Sequence, residues 1–229
     1  MSDRKAVILD VDGTLVDSND AHAHAWIEAF SDFGIVIAFD HVRRSIGMGG
    51  DKLMPEVSGI EESSSLGQQI GARRAEIFKS RYVPAIHSFE GTRQLLERFL
   101  ADGFVLAVAS SAKEDELTLL LERAGVHDLI PRRTSSDDAD RSKPDPDIVV
   151  AALQQTGAPP DRATMLGDTP YDVAAAKRAG IAVVGVECGG WTREALAGAI
   201  AVYRDPADLL LHYEESPFPT RVNAPRSPR

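Results

Sequence analysis

Hydrophobic and polar positions along the chain follow two patterns, which change over near residue 88. Ala6, Val7, Ile8 and Leu9 form an unbroken apolar run ending at Asp10, and Phe104 to Ala109 (FVLAVA) form another ending at Ser110. Unbroken runs of this length are what strands buried on both faces require. Shorter runs predict strands over 163–166 and 181–186, and residues 128–133 a weak one. Between them the apolar residues recur at helical spacing. Helices are predicted over 90–101, over 113–124 with Leu117, Leu120 and Leu121 on one face, over 145–156 after Pro144, and over 170–179 with Pro170 in the first turn. Strands alternating with helices in this way mean βαβ units and a parallel sheet.

Residues 19–87 interrupt that alternation. Ala23, Trp26, Ile27 and Phe30 mark a helix over 20–34, and a second helix covers 40–46. A three-glycine loop follows at 47–52, then a Ser/Glu/Gly-rich break at 58–67 and a long helix to residue 82. The expected fold is therefore α/β, a Rossmann-like parallel sheet with an inserted all-helical unit. Residues 1–17 and 88–215 would form the sheet core and 18–87 the insertion. Residues 216–229 hold four prolines and no periodicity, and are expected to have no fixed structure.

Composition narrows the function classes. At 43% hydrophobic and 26% charged residues, the 229-residue chain is that of a soluble protein with a full core. Its net charge of −10 argues against nucleic acid or anionic membrane as a general partner, since both need a basic face. It leaves a phosphate-bearing ligand open, because a metal and one lysine set the local field there. The single cysteine, Cys188, excludes an intrachain disulfide and a multi-cysteine metal site. No apolar run approaches a membrane span, and no charged-then-apolar leader precedes the first strand, so a cytoplasmic protein is expected, monomeric or weakly dimeric.

The candidate chemistry lies at the strand ends. Asp10 follows the first strand at its carboxyl end, where open parallel sheets place ligands. Asp12 comes two residues later, and Gly13 allows a sharp turn. Two carboxylates this close repel unless a cation or a shared proton intervenes. Mg²⁺ suits them, being held typically by one or two carboxylates with waters and phosphate oxygens. One aspartate could then act as nucleophile and the other as general acid and base. An aspartate that only caps a helix would explain one of the two. Ser110 ends the FVLAVA strand, where its hydroxyl and the N–H groups from Ser111 onward could bind an oxyanion, or where it could cap the next helix. Lys143, restrained by Pro144, is placed as a fixed cation, although most lysines are simply solvated. Asp168 ends a strand and Asp172 lies one helical turn on, so both can face one cavity and offer oxygen ligands.

Taken together, Asp10-x-Asp12-Gly13-Thr14, Ser110, Lys143-Pro144-x-Pro146 and Gly167-Asp168 with Asp172 resemble, in order, the four motifs of the haloacid dehalogenase superfamily of phosphohydrolases, over roughly residues 6–215. The resemblance implies a Mg²⁺-dependent phosphatase acting on a small phosphorylated metabolite. Asp10 would attack phosphorus, while Asp12 protonates the leaving group and later activates water. Ser110 and Lys143 would grip the phosphoryl oxygens. Asp10, the backbone carbonyl of Asp12, Asp168 and Asp172 would hold the metal, Asp172 directly or through water. The helical insertion would be the cap. Expected substrate contacts are Thr14, Asp17, His22, Lys52 and Ser111, with Asp17, Ser18 and His22 at the hinge and cap entry.

Other members of the superfamily fit less well. The Asp17-Ser18 and His22-x-x-Ala25-Trp26 spacing resembles β-phosphoglucomutases, but the loop GMGGDK lacks the arginine expected of them. Met48-Gly49 followed by Lys52 has the lysine spacing of phosphonoacetaldehyde hydrolases, which lack an acid at the position of Asp12. Haloalkanoic acid dehalogenases need neither the second aspartate nor a metal. A binding module without catalysis would be marked by a missing carboxylate, and none is missing. Trp26 and Trp191 read as packing residues, His87 and His127 as structural or exposed, and Cys188 as a small buried residue.

Overall fold

The computed structural model describes residues 4–219. Strand β1 (Lys5–Leu9) leads into four helices, α1 (Asn19–Asp32), α2 (Phe39–Ser45), α3 (Gly50–Ser58) and α4 (Ser65–Ile77), the last running on into a π-helical turn at Phe78–Tyr82. Then come α5 (Thr92–Ala101), β2 (Phe104–Ala109), α6 (Glu114–Arg123), β3 (Arg133–Thr134), α7 (Asp147–Thr156), β4 (Ala163–Gly167), α8 (Pro170–Ala179), β5 (Ala182–Val186), β6 (Ala201–Tyr203) and α9 (Pro206–Leu211). All strand pairs are parallel, in the order β3-β2-β1-β4-β5-β6.

The apolar run of β1 is buried because β1 is central, with β2 on one side and β4 on the other. Side-chain alternation divides the core into two layers. Val7 and Leu9 join Leu106, Val108 and the apolar faces of α5 and α6, whereas Ala6 and Ile8 join Ala107, Ala109 and the faces of α7 and α8. The first layer continues without a break into the helical segment through Ala23, Trp26, Phe30, Leu53, Ile70 and Phe78. Growth of the sheet switches sides at β1. β2 and β3 add to one edge and β4 to β6 to the other, which leaves a crevice beyond the carboxyl ends of β1 and β4. The chain enters and leaves the helical segment through adjacent connections: Val16 bridges Ser88, and Asp17 N donates to His87 O at 3.0 Å.

Several local expectations change. The weak strand over 128–133 shrinks to Arg133–Thr134, because Arg133 donates to the carbonyls of His127 and Ile130 and holds the preceding residues in a turn. The second half of the three-glycine loop opens α3 at Gly50. Strand β6 and helix α9 lie where no strong periodicity announced them. The structureless stretch expected from Ser216 does not begin there, since Phe218 is buried against Phe99, Phe104 and Tyr213. The rest of that stretch, 220–229, lies outside the described residues. Among the described residues no helix is long and apolar enough to cross a membrane.

Candidate active site

Asp10 continues the line of β1, its N–H donating to Leu166 O of β4 at 2.9 Å. That bond aims its carboxylate into the crevice. Oδ1 accepts from Lys143 Nζ at 2.5 Å, and Oδ2 lies 2.9 Å from Thr14 Oγ1. The same hydroxyl is 3.1 Å from Asp168 Oδ1, so Thr14 sits between the two carboxylates. Asp168 Oδ2 accepts from Asn19 Nδ2 at 3.1 Å. Asp172 closes a capping box at the start of α8, its Oδ2 accepting from Thr169 N and Oγ1. Oxygens of Asp10, Asp168 and Asp172, all buried, lie within 4.8 Å of one another. Two glycines make room for this. A Cβ on Gly189 would lie 1.6 Å from Asp168 Oδ2, and one on Gly13, whose φ is +76°, would lie 2.3 Å from it.

The cluster is short of positive charge. Lys143 is fully buried and serves two carboxylates, with Nζ also 2.8 Å from Asp172 Oδ1. Burial pushes Asp10 up to about 7 against the pull of Lys143, with the Asp172 carboxylate adding to the rise. Burial also raises Asp168 well above the usual range, followed by the charges of Asp10 and Asp172. Burial opposes the charge on Lys143, yet Asp10 and Asp172 hold its pKa above the ordinary value. The Lys143–Asp172 contact is an ion pair by distance but not a hydrogen bond, so Asp172 Oδ1 is buried without a hydrogen-bond partner. Three buried carboxylates sharing a single ammonium fit a hard divalent cation such as Mg²⁺.

Asp12 lives differently. Its Oδ1 accepts from Ser18 Oγ at 2.5 Å and contacts His22 Nε2 at 2.7 Å, outside the three-aspartate cluster. Burial works to raise its pKa, but His22 and Ser18, with Arg74 behind them, hold it below the usual carboxylate value. The His22 ring stacks on Phe78 at 3.9 Å, and its Nδ1 lies 2.9 Å from Arg74 Nη2. Arginine only donates, so Nδ1 takes the acceptor role and the ring proton on Nε2 points at Asp12. Arg74 Nη1 in turn contacts both oxygens of Glu116, at 2.8 and 2.7 Å, and the guanidinium lies over the rings of Trp26 and Phe78. One arginine of α4 therefore ties the acid/base candidate to helix α6. A cavity of about 720 Å³ opens over Asp10 and Asp12, walled by the start of α3, by α4 and by the loop after β2.

This constellation can be set against known proteins. Residues 7–186 match the haloacid dehalogenase-like hydrolase family. The chain belongs to that family. A phosphoglycolate phosphatase of Rhodospirillum rubrum is 33% identical over 215 residues, spanning 90% of this chain and 89% of its own. A validoxylamine A 7'-phosphate phosphatase of Streptomyces hygroscopicus subsp. limoneus is 28% identical, covering 90% of this chain and 95% of its own. A hydrolase of Pseudomonas syringae, solved as a crystal structure, superposes with a TM-score of 0.86 at 32% identity, over 93% of this chain and 99% of that one. The six-stranded parallel sheet with flanking helices is the fold of this family of haloacid dehalogenase-like hydrolases.

Within the hydrolase, the residues singled out in the sequence separate into groups. Asp10, Lys143, Asp168 and Asp172 meet in one cluster, with Thr14 inside it between two carboxylates and not on the cavity wall. His22 and Asp12 form a bonded pair. Ser110 is buried, its Oγ accepting from Ala112 N at 3.1 Å, while Ser111 lines the cavity and donates to Gly47 O. Lys52 is turned away to pair with Asp145, and Asp17 is exposed beside the connection to His87; neither lines the cavity. Cys188 donates its thiol to Gly13 O at 3.2 Å, and burial pushes that thiol up, out of the reactive range. Arg74, Glu116, Asn19 and Gly189 were passed over. Glu116 had left a signal, a charged residue on the same helical face as Leu117 and Leu120, buried here with both.

Proposed function

We propose that the hydrolase is a phosphatase cleaving a small phosphate monoester with the help of Mg²⁺, through a phosphoryl group carried on Asp10. One observation carries the reading. Two aspartates share a cavity floor, one buried in a carboxylate cluster with Lys143 and the other outside it, bonded to histidine and serine. The named relatives support a phosphatase, and their different substrates leave the alcohol open.

Asp10, Asp168 and Asp172 would hold the Mg²⁺, which when bound supplies positive charge against the carboxylates and the phosphoryl oxygens. Lys143 holds Asp10 Oδ1 and adds a fixed positive charge beside the attacking carboxylate. An Asp10 oxygen forms its bond to phosphorus as the bond to the ester oxygen breaks. His22 and Ser18 favour the Asp12 carboxylate in the free site, so the proton enters with the phosphate monoanion and passes through Asp12 to that leaving oxygen. The bonds from Ser18 and His22 both fall on Oδ1, which leaves Oδ2 to carry the proton. Asp12, now a carboxylate, takes a proton from water, which attacks the phosphorus on Asp10 and restores the carboxylate. Residues 18–87 act as the cap, excluding bulk water and contacting the alcohol.

The test is phosphate release from p-nitrophenyl phosphate and a panel of phosphorylated metabolites, with and without Mg²⁺. Wild type should require Mg²⁺, and Asp10→Asn should lose at least about a thousandfold in kcat while unfolding as cooperatively as wild type. A rate in that variant within tenfold of wild type would remove Asp10 as the nucleophile.

A further inference from the structure

The cavity over the catalytic aspartates is far larger than one phosphoryl group, and the alcohol part of an ester must lie in its remainder. In that remainder carboxylates outnumber cations. Besides Asp10 and Asp12 its wall carries six carboxylates against three cations, Arg74, Lys79 and Lys113. Arg74 gives Nη1 to Glu116 and Nη2 to His22, and only its buried Nε is left without a hydrogen-bond partner. Lys79 pairs with Asp115, and Lys113 stands exposed at the rim, at the start of α6.

Glu62 is the exception among the carboxylates. It lies in the connection between α3 and α4, half-buried in the cavity wall, with no hydrogen-bond or ion-pair partner among the described residues. Its Oε1 presses against the first residue of α3, so that a Cβ on Gly50 would come within 2.6 Å of it. Burial, followed by the neighbouring Asp51 carboxylate, raises its pKa against the weaker pull of Lys113 and Arg74. A partly desolvated carboxylate without a donor gains most from a ligand that brings one.

Resting on the phosphatase reading, we propose that Glu62 selects the leaving group, and that the substrate is the phosphate ester of a hydroxyl-rich or amino-bearing alcohol, not of a carboxylic acid. Hydroxyl or ammonium groups would donate to Glu62. A carboxylate on the leaving group would instead face Glu62 and Asp51 in a wall where carboxylates outnumber cations two to one, a like-charge contact that works as a rejection.

The experiment compares kcat/KM with Mg²⁺ for glucosamine 6-phosphate, glycerol 1-phosphate and 2-phosphoglycolate, in wild type and in Glu62→Gln. Glu62 is half-buried and unpaired, so the isosteric change does not endanger folding. Wild type should prefer the best of the first two esters over 2-phosphoglycolate by at least about tenfold, and Glu62→Gln should narrow that ratio by about tenfold. A wild-type preference for 2-phosphoglycolate, or a ratio unmoved in Glu62→Gln, overturns the inference. So does hydrolysis of p-nitrophenyl phosphate with none of the three esters cleaved, while the phosphatase reading survives. If no ester at all is cleaved, that reading falls and the inference falls with it.

Discussion

Asp10 and Asp12 are two residues apart and sit in opposite electrostatic surroundings. Asp10 is pushed up to about 7, first by burial, and Asp168 is raised for the same reason, while Asp12 is lowered by its neighbours despite burial. The raised pair has a consequence for pH. A carboxyl whose pKa is higher folded than unfolded binds its proton more tightly in the folded state. Its contribution to stability is present below the unfolded value near 4 and is lost as pH rises through about 7. Metal binding needs the same groups deprotonated. Millimolar Mg²⁺ should therefore raise the thermal midpoint more at pH 8 than at pH 5.5, as read by calorimetry. An equal rise at both would argue against these carboxylates as the cation site. At this scale the sequence was informative, because Asp10, Ser110 and Asp168 each follow an apolar run and so declare themselves strand-end residues. It was silent on Asn19 and Gly189, whose importance is only that each touches, or would touch, Asp168.

Between elements, a two-point polar tie joins α4 to α6. Glu116 is 2% exposed and Arg74 is its ion-pair partner. Replacing Arg74 by Met would strand a buried carboxylate, and breaking a buried pair in this way is worth about 3–5 kcal/mol of stability. Urea unfolding of Arg74→Met should show a loss of that order, and most of it should return when Glu116→Gln is added. A double variant no more stable than the single one would mean that Arg74 works mainly through its stacking on Trp26 and Phe78. Helix boundaries were legible where apolar periodicity and terminal residues agreed. α8 is such a case, with Pro170 in its first turn and the Thr169–Asp172 capping box. Helix α3 was hidden because Gly49 and Gly50 read as loop, although Gly50 serves as its first residue. Strand β3 shrank because Arg133 spends its donors on a turn.

For the whole molecule, one apolar cluster runs from the sheet into the helical segment, and the chain's last described residues help to close its far end. Phe218 packs on Phe99 at a ring-centroid distance of 4.6 Å and is 3% exposed. Phe218→Ala should lower stability by about 3 kcal/mol in urea unfolding, as for other large-to-small core changes. A loss below about 0.5 kcal/mol would return these residues to the status of a loose tail. The start of that stretch, at Ser216–Pro219, differs from the expectation because proline content describes local chain preferences and says nothing of what an aromatic among the prolines meets across the fold.

The sequence by itself determined the α/β class, two strands buried on both faces and the placing of Asp10, Ser110 and Asp168 at strand ends. Those follow from short-range patterns of apolar runs, turns and caps, which the backbone obeys residue by residue. Only the tertiary structure decided which charges meet. Lys143 reaches Asp10 across 133 positions and Asn19 reaches Asp168 across 149. Arg74 is shared between His22 and Glu116, while Lys52 is lost to Asp145. Charge interactions depend on distance through space and on burial, and neither is set until the sheet order and the docking of the helices bring remote segments together.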